Sequence, residues 1–227
     1  MSETILVIDD QSDVRELLGF TLKDAGYRVV EADSGPTGIE AYHAHQPDLI
    51  LLDIGLGSMD GLEVCRQLRA VTSTPIIFLT SRNDEVDELV GFAAGGDDYI
   101  TKPFSPKVVL ARVGSLIRRR TQTDDGTKTV YKAGPLTLDT VAHEVTLDGE
   151  PLELTRTEFD LLFALMENPG RVVTRDALLE RVWGEWYGDS HVVEVHISRL
   201  RNKVKKAGGP AVGVAVRGVG YKLGLDA

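Results

Sequence analysis

In the first half of this sequence, four short apolar runs each end in a side chain that could do chemistry. Asp9 and Asp10 follow Ile5–Ile8, Asp53 follows Leu49–Leu52, Thr80 follows Ile76–Leu79, and Lys102 comes shortly after Tyr99-Ile100. Three carboxylates drawn together repel one another unless a hard divalent cation lies between them, and Mg2+ takes carboxylate, carbonyl and water oxygens. With Asp9 and Asp10 assigned to the metal, Asp53 can attack a phosphoryl group as a carboxylate nucleophile. In-line phosphoryl transfer needs mainly positioning and charge neutralisation, which Mg2+ and Lys102 would supply. Thr80 can donate a hydrogen bond to a phosphoryl oxygen and so register its presence. Any one of these carboxylates alone reads as an ordinary turn residue. The whole set on one edge does not.

For these residues to meet, the runs must be parallel strands of one sheet. Unbroken apolar runs suit strands buried on both faces; Val29-Val30 is a shorter run of the same kind. Between them lie amphipathic stretches such as Val14, Leu17, Leu18, Thr21 and Leu22 at helical spacing. Ser105-Pro106 reads as a cap with proline at the first helical position, opening a helix that runs to Arg120. Strands and helices alternating five times over residues 1–120 predict a flavodoxin-like, doubly wound α/β domain, in which ligands bind beyond the carboxyl ends of the strands.

Residues 121–128 are polar and without periodicity, as a flexible linker would be. The pattern over residues 129–227 is that of an α+β domain. Leu136–Asp139 and Val145–Leu154 read as short antiparallel strands, with Asp148-Gly149 as a turn. Thr155-Arg156-Thr157-Glu158 is a capping box ahead of Phe159, Leu161, Leu162 and Leu165. Helices near 174–183 and 190–206 follow, then a hairpin over Val214–Leu223 around Gly218.

The helix at 190–206 has two unlike faces. At a helical step, Val193, Ile197, Leu200 and Val204 form one apolar stripe; His191, Val195, Ser198, Arg199, Asn202, Lys205 and Lys206 lie opposite. The second face suits the major groove, where arginine reads guanine, asparagine reads adenine and an aliphatic group meets the thymine methyl. The chain carries a net charge of −10, which argues against indiscriminate nucleic-acid binding. From Gly188 onward, however, Arg199, Arg201, Lys203, Lys205, Lys206, Arg217 and Lys222 stand against only Asp189, Glu194 and Asp226. A basic patch of that kind suits a localised phosphate contact.

Other features mark what the chain is not. Its apolar share of 42% and charged share of 26% are those of a globular protein. The one cysteine, Cys65, cannot form an internal disulfide and sits at helical spacing as a small core residue. The five histidines have no cysteine partners at zinc-ligand spacing. Met1-Ser2-Glu3-Thr4 carries no basic flank, and Ile5–Ile8 is too short for a signal segment or a membrane span. A cytoplasmic protein without a membrane partner is expected.

Residues 4–120 resemble the receiver domain of two-component response regulators through Asp9-Asp10, Asp53 in Leu-Leu-Asp-Ile, Met59-Asp60-Gly61-Leu62, Thr80-Ser81-Arg82 and Asp97–Phe104. The resemblance implies that Asp53 is phosphorylated and that Asp10, Asp53 and the Gly55 carbonyl bind Mg2+, with Asp9 assisting through water. It further implies that Thr80 and Tyr99 form a switch pair, and that a cis Lys102-Pro103 bond aims the lysine. Residues 130–225 resemble the winged-helix effector domain of the OmpR/PhoB family through Leu154–Phe159, Val182-Trp183-Gly184, Val193–Arg201 and Val216–Tyr221. That likeness implies that Arg199 reads bases, that His196 and Arg201 contact phosphate, and that Arg217 on the wing enters the minor groove. Trp183 and Tyr221 read as core. The implied partners are a cognate sensor histidine kinase, promoter DNA, RNA polymerase, and a second copy of the chain once phosphorylated. Asp97 or Asp98 with Arg112, and a carboxylate with Arg119, would pair between the two copies.

The chain departs from these patterns in several places. Gly57 stands where the family usually has proline, which should loosen the loop carrying Asp53 and speed its exchange. Glu88 and Val108 replace a usual basic–acidic pair of the dimer face, Ser198 a frequent basic residue, and Ala215 a common threonine. Two rival readings are an aspartyl-phosphate phosphatase, which needs a second aspartate where Gly55 stands, and a regulator independent of phosphorylation, which would lack part of the acidic set.

Overall fold

The computed structural model describes residues 2–57, 59–81, 94–121, 129–184 and 191–224. The chain divides into two compact units, residues 1–119 and 120–227. Residues 122–128 of the expected linker, and the positions Arg82 and Glu88, lie outside the described residues.

In the first unit β1 (Thr4–Ile8), β2 (Arg28–Ala32), β3 (Leu49–Asp53), β4 (Ile76–Thr80) and β5 (Asp98–Thr101) form a parallel sheet in the order β2-β1-β3-β4-β5. The described helices are α1 (Ser12–Asp24), α2 (Gly35–His45), α3 (Gly61–Arg69) and α4 (Pro106–Thr121). The fifth expected helix, between β4 and β5, falls on residues 82–93 and so outside the description.

Side chains alternate along a strand, so the sheet has two cores. Ile5, Val7, Leu49, Leu51, Ile77 and Leu79 pack with Leu18 and Leu22 of α1 and Val109 and Val113 of α4. Leu6, Ile8, Ile50, Leu52, Ile76 and Phe78 pack with Tyr42 of α2 and Val64, Cys65 and Leu68 of α3. Strands β1, β3 and β4 have no solvent face, which is why their sequences show no polar alternation. Burial of each such side chain stabilises the unit by about 1.5–3 kcal/mol.

This topology builds the site. Strands β1 and β3 are sheet neighbours, with Ile8 beside Leu52, yet β1 continues into α1 on one face and β3 into α3 on the other. Diverging connections open a crevice at the carboxyl edge, and Asp9, Asp10 and Asp53 border it. The start of α3 closes against this edge. Asp60 Oδ1 accepts from Leu62 N at 2.9 Å, and Gly61 N donates to the Ile54 carbonyl at 3.0 Å. A Cβ on Gly61 would stand 2.1 Å from the Asp53 carbonyl oxygen, so only glycine fits there.

The second unit carries a four-stranded antiparallel sheet, β6 (Val130–Ala133), β7 (Leu136–Asp139), β8 (Glu144–Leu147) and β9 (Glu150–Pro151). The stretch 145–154 forms the tight hairpin expected from its turn at Asp148-Gly149, with a second strand of only two residues. Asp148 and Gly149 take φ of 51° and 89° at its turn, the paired left-handed conformation that suits a two-residue connection. The described helices that follow are α5 (Arg156–Met166), α6 (Arg175–Trp183) and α7 (His191–Lys206), interleaved with a second sheet in the order β10-β12-β11. Its strands are β10 (Val173–Thr174), β11 (Ala211–Val216) and β12 (Gly220–Gly224). The capping box Thr155–Glu158 opens α5 as expected. At the hairpin, Gly218 has a φ of 74°, while a Cβ on Gly220 would lie 2.0 Å from the Val173 carbonyl oxygen. Trp183 and Tyr221 are buried, as expected of core residues. Among the described residues, no helix is long and apolar enough to cross a membrane.

Gly61→Ala is expected to destabilise the first unit by about 1–3 kcal/mol, the usual cost of forced overpacking. Gly57→Ala, where a Cβ meets Asp10 Oδ2 only at 3.6 Å, should stay within about 0.5 kcal/mol of the parent. Urea unfolding of the two variants side by side measures the difference.

Candidate phosphoacceptor pocket and DNA-reading face

One carboxylate oxygen from each of Asp9, Asp10 and Asp53 lies within 4.8 Å of the others. Asp9 and Asp53 are buried, while Asp10 is exposed at the mouth. Lys102 reaches across from the end of β5: its Nζ donates to Asp9 Oδ2 at 2.7 Å and stands 3.0 Å from Asp53 Oδ1. The Lys102 backbone is fixed by its N–H to the Thr80 carbonyl at 2.6 Å, and the Lys102-Pro103 bond is cis. Asp9 is held by its neighbours: Oδ1 accepts from Gln11 N at 2.9 Å, and its carbonyl accepts from Arg15 Nη1 at 2.7 Å.

The electrostatics follow from this packing. Burial pushes the Asp53 carboxyl above the ordinary carboxylate range, although Lys102 works against the shift. For Lys102 burial acts to lower the value, but the hydrogen bonds and charges of Asp9 and Asp53 outweigh it and hold the ammonium above its usual value.

The donor set fits a divalent cation. Three carboxylates against one ammonium leave a surplus of two negative charges, and all the donors are hard oxygens. Mg2+ binds oxygen at about 2.0–2.1 Å, which spaces its ligands by roughly 3–4 Å. Carboxylates already within 4.8 Å need only small rotations to meet that spacing. Asp10 and Asp53 with the loop at Gly55 would hold such an ion. A Cβ on Gly55 would meet Asp53 Oδ2 at 3.3 Å, so this glycine keeps that side of the acceptor approachable.

The remaining receiver residues are placed as follows. Thr80 is buried at the end of β4, one residue beyond Leu79, the strand partner of Asp53. Tyr99 lies half-buried against the core beside α3. One contact escaped the sequence reading: Gly57 N donates to Asp10 Oδ2 at 3.4 Å. A proline at this position would have no N–H to offer.

Within the single chain, the described residues expected to pair between copies have internal partners. Asp97 is wholly buried, where Arg69 Nη2 meets its Oδ2 at 2.5 Å and Ile76 N donates to the same oxygen at 3.0 Å. Arg112 Nη1 donates to both carboxylate oxygens of Asp98 at 2.9 Å within the same chain. Buried carboxylates take the nearest cation, and here that cation is internal. The side chain of Arg119 lies outside the described residues.

On α7 the buried stripe is wider than expected. Val193, Ile197, Leu200 and Val204 are buried, and so are Val192 and His196. His196 is therefore not on the DNA face: its ring packs 5.5 Å from that of Trp183. Arg199 and Arg201 are also drawn inward from the expected surface. Arg199 Nε stands 3.5 Å from the buried Glu158 Oε1, and Arg201 Nη2 donates to the Gly213 carbonyl. His191, Ser198, Asn202 and Lys205 are exposed, Val195 is half-buried, and Arg217 is exposed on the hairpin. Glu194 pairs with Arg175 of α6, and His191 Nδ1 lies 2.9 Å from its carboxylate.

The fold and these sites define a two-domain regulator, a parallel-sheet receiver with an acidic pocket ahead of a DNA-binding unit. Residues 5–114 match the response regulator receiver domain family, and residues 149–223 match the family "transcriptional regulatory protein, C terminal". The chain is 44% identical over 226 residues to the DNA-binding response regulator MtrA of Mycobacterium tuberculosis, covering 99% of this chain and 98% of that protein. It is 40% identical over 224 residues to the sensory transduction protein RegX3 of Mycolicibacterium smegmatis, covering 97% and 98%. Among solved structures, a mutant of RitR superposes with a TM-score of 0.81 at 30% identity over 99% of this chain and 100% of that chain. DrrB, an OmpR/PhoB homologue of Thermotoga maritima, gives 0.53 at 33% identity over 98% and 99%. The chain belongs to the OmpR/PhoB family of two-component response regulators and is a DNA-binding transcription regulator.

The raised Asp53 value has a sign that can be checked. A carboxyl whose folded value is raised favours folding while protonated, and that contribution is lost as pH rises through the folded value. In chelator near neutral pH, Asp53→Asn should therefore raise the melting temperature by about 2–4 °C, the shift made by roughly 1 kcal/mol in a chain of this size. Thermal scans at several pH values should show the gap closing towards acid pH.

Proposed function

We propose that Asp53 is the phosphoacceptor through which a partner histidine kinase controls DNA binding by the second unit. The observation that carries this reading is the convergence of three carboxylates, two of them on Lys102, at the switch point of the sheet. Lys102 engages Asp53 Oδ1, so Oδ2, on the Gly55 side, is the oxygen that attacks phosphorus. The O–P bond forms as the N–P bond of the kinase phosphohistidine breaks, and the imidazole nitrogen leaves with the electron pair. Lys102 stays beside the transferred group and offsets its charge. Asp10, Asp53 and the Gly55 carbonyl, with Asp9 assisting, would hold Mg2+, which when bound would neutralise charge on the phosphoryl oxygens. The Thr80 hydroxyl and the Tyr99 ring answer the new phosphoryl group. The chain acts chemically only on itself, with slow loss of the phosphoryl group to water. A phosphatase would need a carboxylate at Gly55.

Phosphorylated receivers pair, which raises the effective concentration of two DNA-binding units over tandem promoter half-sites. Such pairing requires Arg112 to leave Asp98 or a different set of contacts. On DNA, Val195, Ser198, Asn202 and Lys205 of α7 face the major groove, with His191 at its start and Arg217 in the minor groove. Arg199 and Arg201 border this face while anchored inside. The setting is the cytoplasm, with RNA polymerase as a further partner.

Incubated with acetyl phosphate and Mg2+, the purified chain should gain one phosphoryl group by intact-mass measurement, and Asp53→Asn should gain none. Phosphoryl donor should also increase recovery of paired half-sites from a random DNA pool and shift sedimentation towards a dimer. Failure of the parent to gain mass would overturn the phosphoacceptor reading.

A further inference from the structure

Glu158 is wholly buried, yet it carries a charge that its local task does not need. In the capping box its Oε2 accepts from Thr155 N at 2.8 Å, and glutamine serves that role as well as glutamate does. The charge instead meets two cations of α7. Lys203 Nζ donates to Oε2 at 2.7 Å, and Arg199 Nε stands 3.5 Å from Oε1. Lys203 also donates to the Glu153 carbonyl at 3.2 Å.

Arg199 and Lys203 are four residues apart, so they lie one above the other on the same stripe of the helix. One carboxylate that grips successive turns fixes the rotation of the helix about its own axis. A guanidinium is also planar. The ion pair of its Nε edge with Glu158 Oε1, which makes no hydrogen bond, and the 3.4 Å approach of Nη1 to His196 Nδ1 together favour one plane for the whole group. Ser198 and Asn202, exposed on the adjoining face, are carried by that same rotation. Contacts to base edges demand side chains placed to within about 0.5 Å.

We infer that Glu158 is a positioning residue for DNA recognition: from the cap of α5 it sets the roll of α7 and the plane of Arg199, and so the bases that α7 reads. The inference rests on the proposed reading by α7. It assigns to a buried acid control over specificity rather than over general affinity.

The test uses the full chain and a duplex that the parent has selected from a random pool, against a scrambled duplex of equal length. Glu158→Gln keeps the cap and removes the charge. It should lower the ratio of specific to scrambled affinity by about tenfold or more, the size of one lost base contact, with scrambled affinity nearly unchanged. In an Arg199→Gln background, Glu158→Gln should add little, because both act through one guanidinium. Parallel loss on both duplexes, no loss on either, or full additivity with Arg199→Gln would overturn the inference. If Glu158→Gln does not fold, Glu158→Asp keeps the charge but withdraws it by one methylene. A reduced ratio in that variant supports the inference, and the parental ratio overturns it. Ser198→Ala and Asn202→Ala separate the two layers of argument. If neither alters the ratio, α7 is not the reader and the Glu158 inference falls with that reading. If they alter it and Glu158→Gln does not, the Glu158 inference alone falls.

Discussion

The repulsion among Asp9, Asp10 and Asp53 is the constraint around which the first unit is arranged. Buried carboxylates at close range are tolerated only where cations answer them, and Lys102 answers two of the three. The surrounding structure holds the charges in that unfavourable proximity. The unbroken apolar strands fix the height of Asp9 and Asp53 at the sheet edge, and the divergence of α1 and α3 keeps the edge open. Gly61 lets α3 close against the Asp53 backbone. A sheet less deeply buried would relax by moving the acids apart, so much of the stability of both cores is tied to keeping an electrostatically poised pocket.

Charge is handled differently in the second unit. Of the cations on α7, Arg199 and Lys203 are engaged by Glu158 and Arg201 by the Gly213 carbonyl, while the acid Glu194 holds Arg175. A Cβ on Gly213 would lie 2.7 Å from Ile197 Cγ2, so the helix also meets β11 at a backbone with no side chain to spare. Much of what looks in the sequence like a phosphate-binding patch therefore seats the helix. Fewer free cations mean fewer released counterions and weaker sequence-independent affinity. That suits a chain whose overall charge is −10.

The pocket was legible because each of its residues is announced by an apolar run, and a parallel sheet leaves one edge on which they can meet. Cys65, Trp183 and Tyr221 were legible for a similar reason, since hydrophobic spacing reports burial directly. The hairpin at Asp148-Gly149 was half legible: the turn dipeptide is plain, but β9 beyond it is only two residues long and has no pattern of its own. What the sequence conceals is the partner of a long charged side chain. Arg69 and Asp97 are 28 residues apart, and Arg199 and Glu158 are 41 apart; no local pattern links either pair. His196 failed for a related reason. A helical wheel sorts residues by angle from one stripe, but α7 is covered on two sides, by β11 and by the other helices, and the second cover takes in Val192 and His196.

The two units thus apply one rule to opposite ends. Glu158 Oε2 meets Lys203 and a backbone N–H, and Oε1 lies 3.5 Å from Arg199 without a hydrogen bond, so its charge is largely answered within the fold. Asp9 and Asp53 share one ammonium and the exposed Asp10 stands beside them, so the charge of the three is only partly answered and the pocket stays responsive to cations and to a phosphoryl group. A closed network suits an element that must present the same face at every encounter. An open one suits an element whose state must change, because added charge alters its balance by several kilocalories per mole at such distances. Rigidity in the reader and electrostatic imbalance in the receiver are therefore complementary requirements, met by the same residue types according to how many partners each buried carboxylate has.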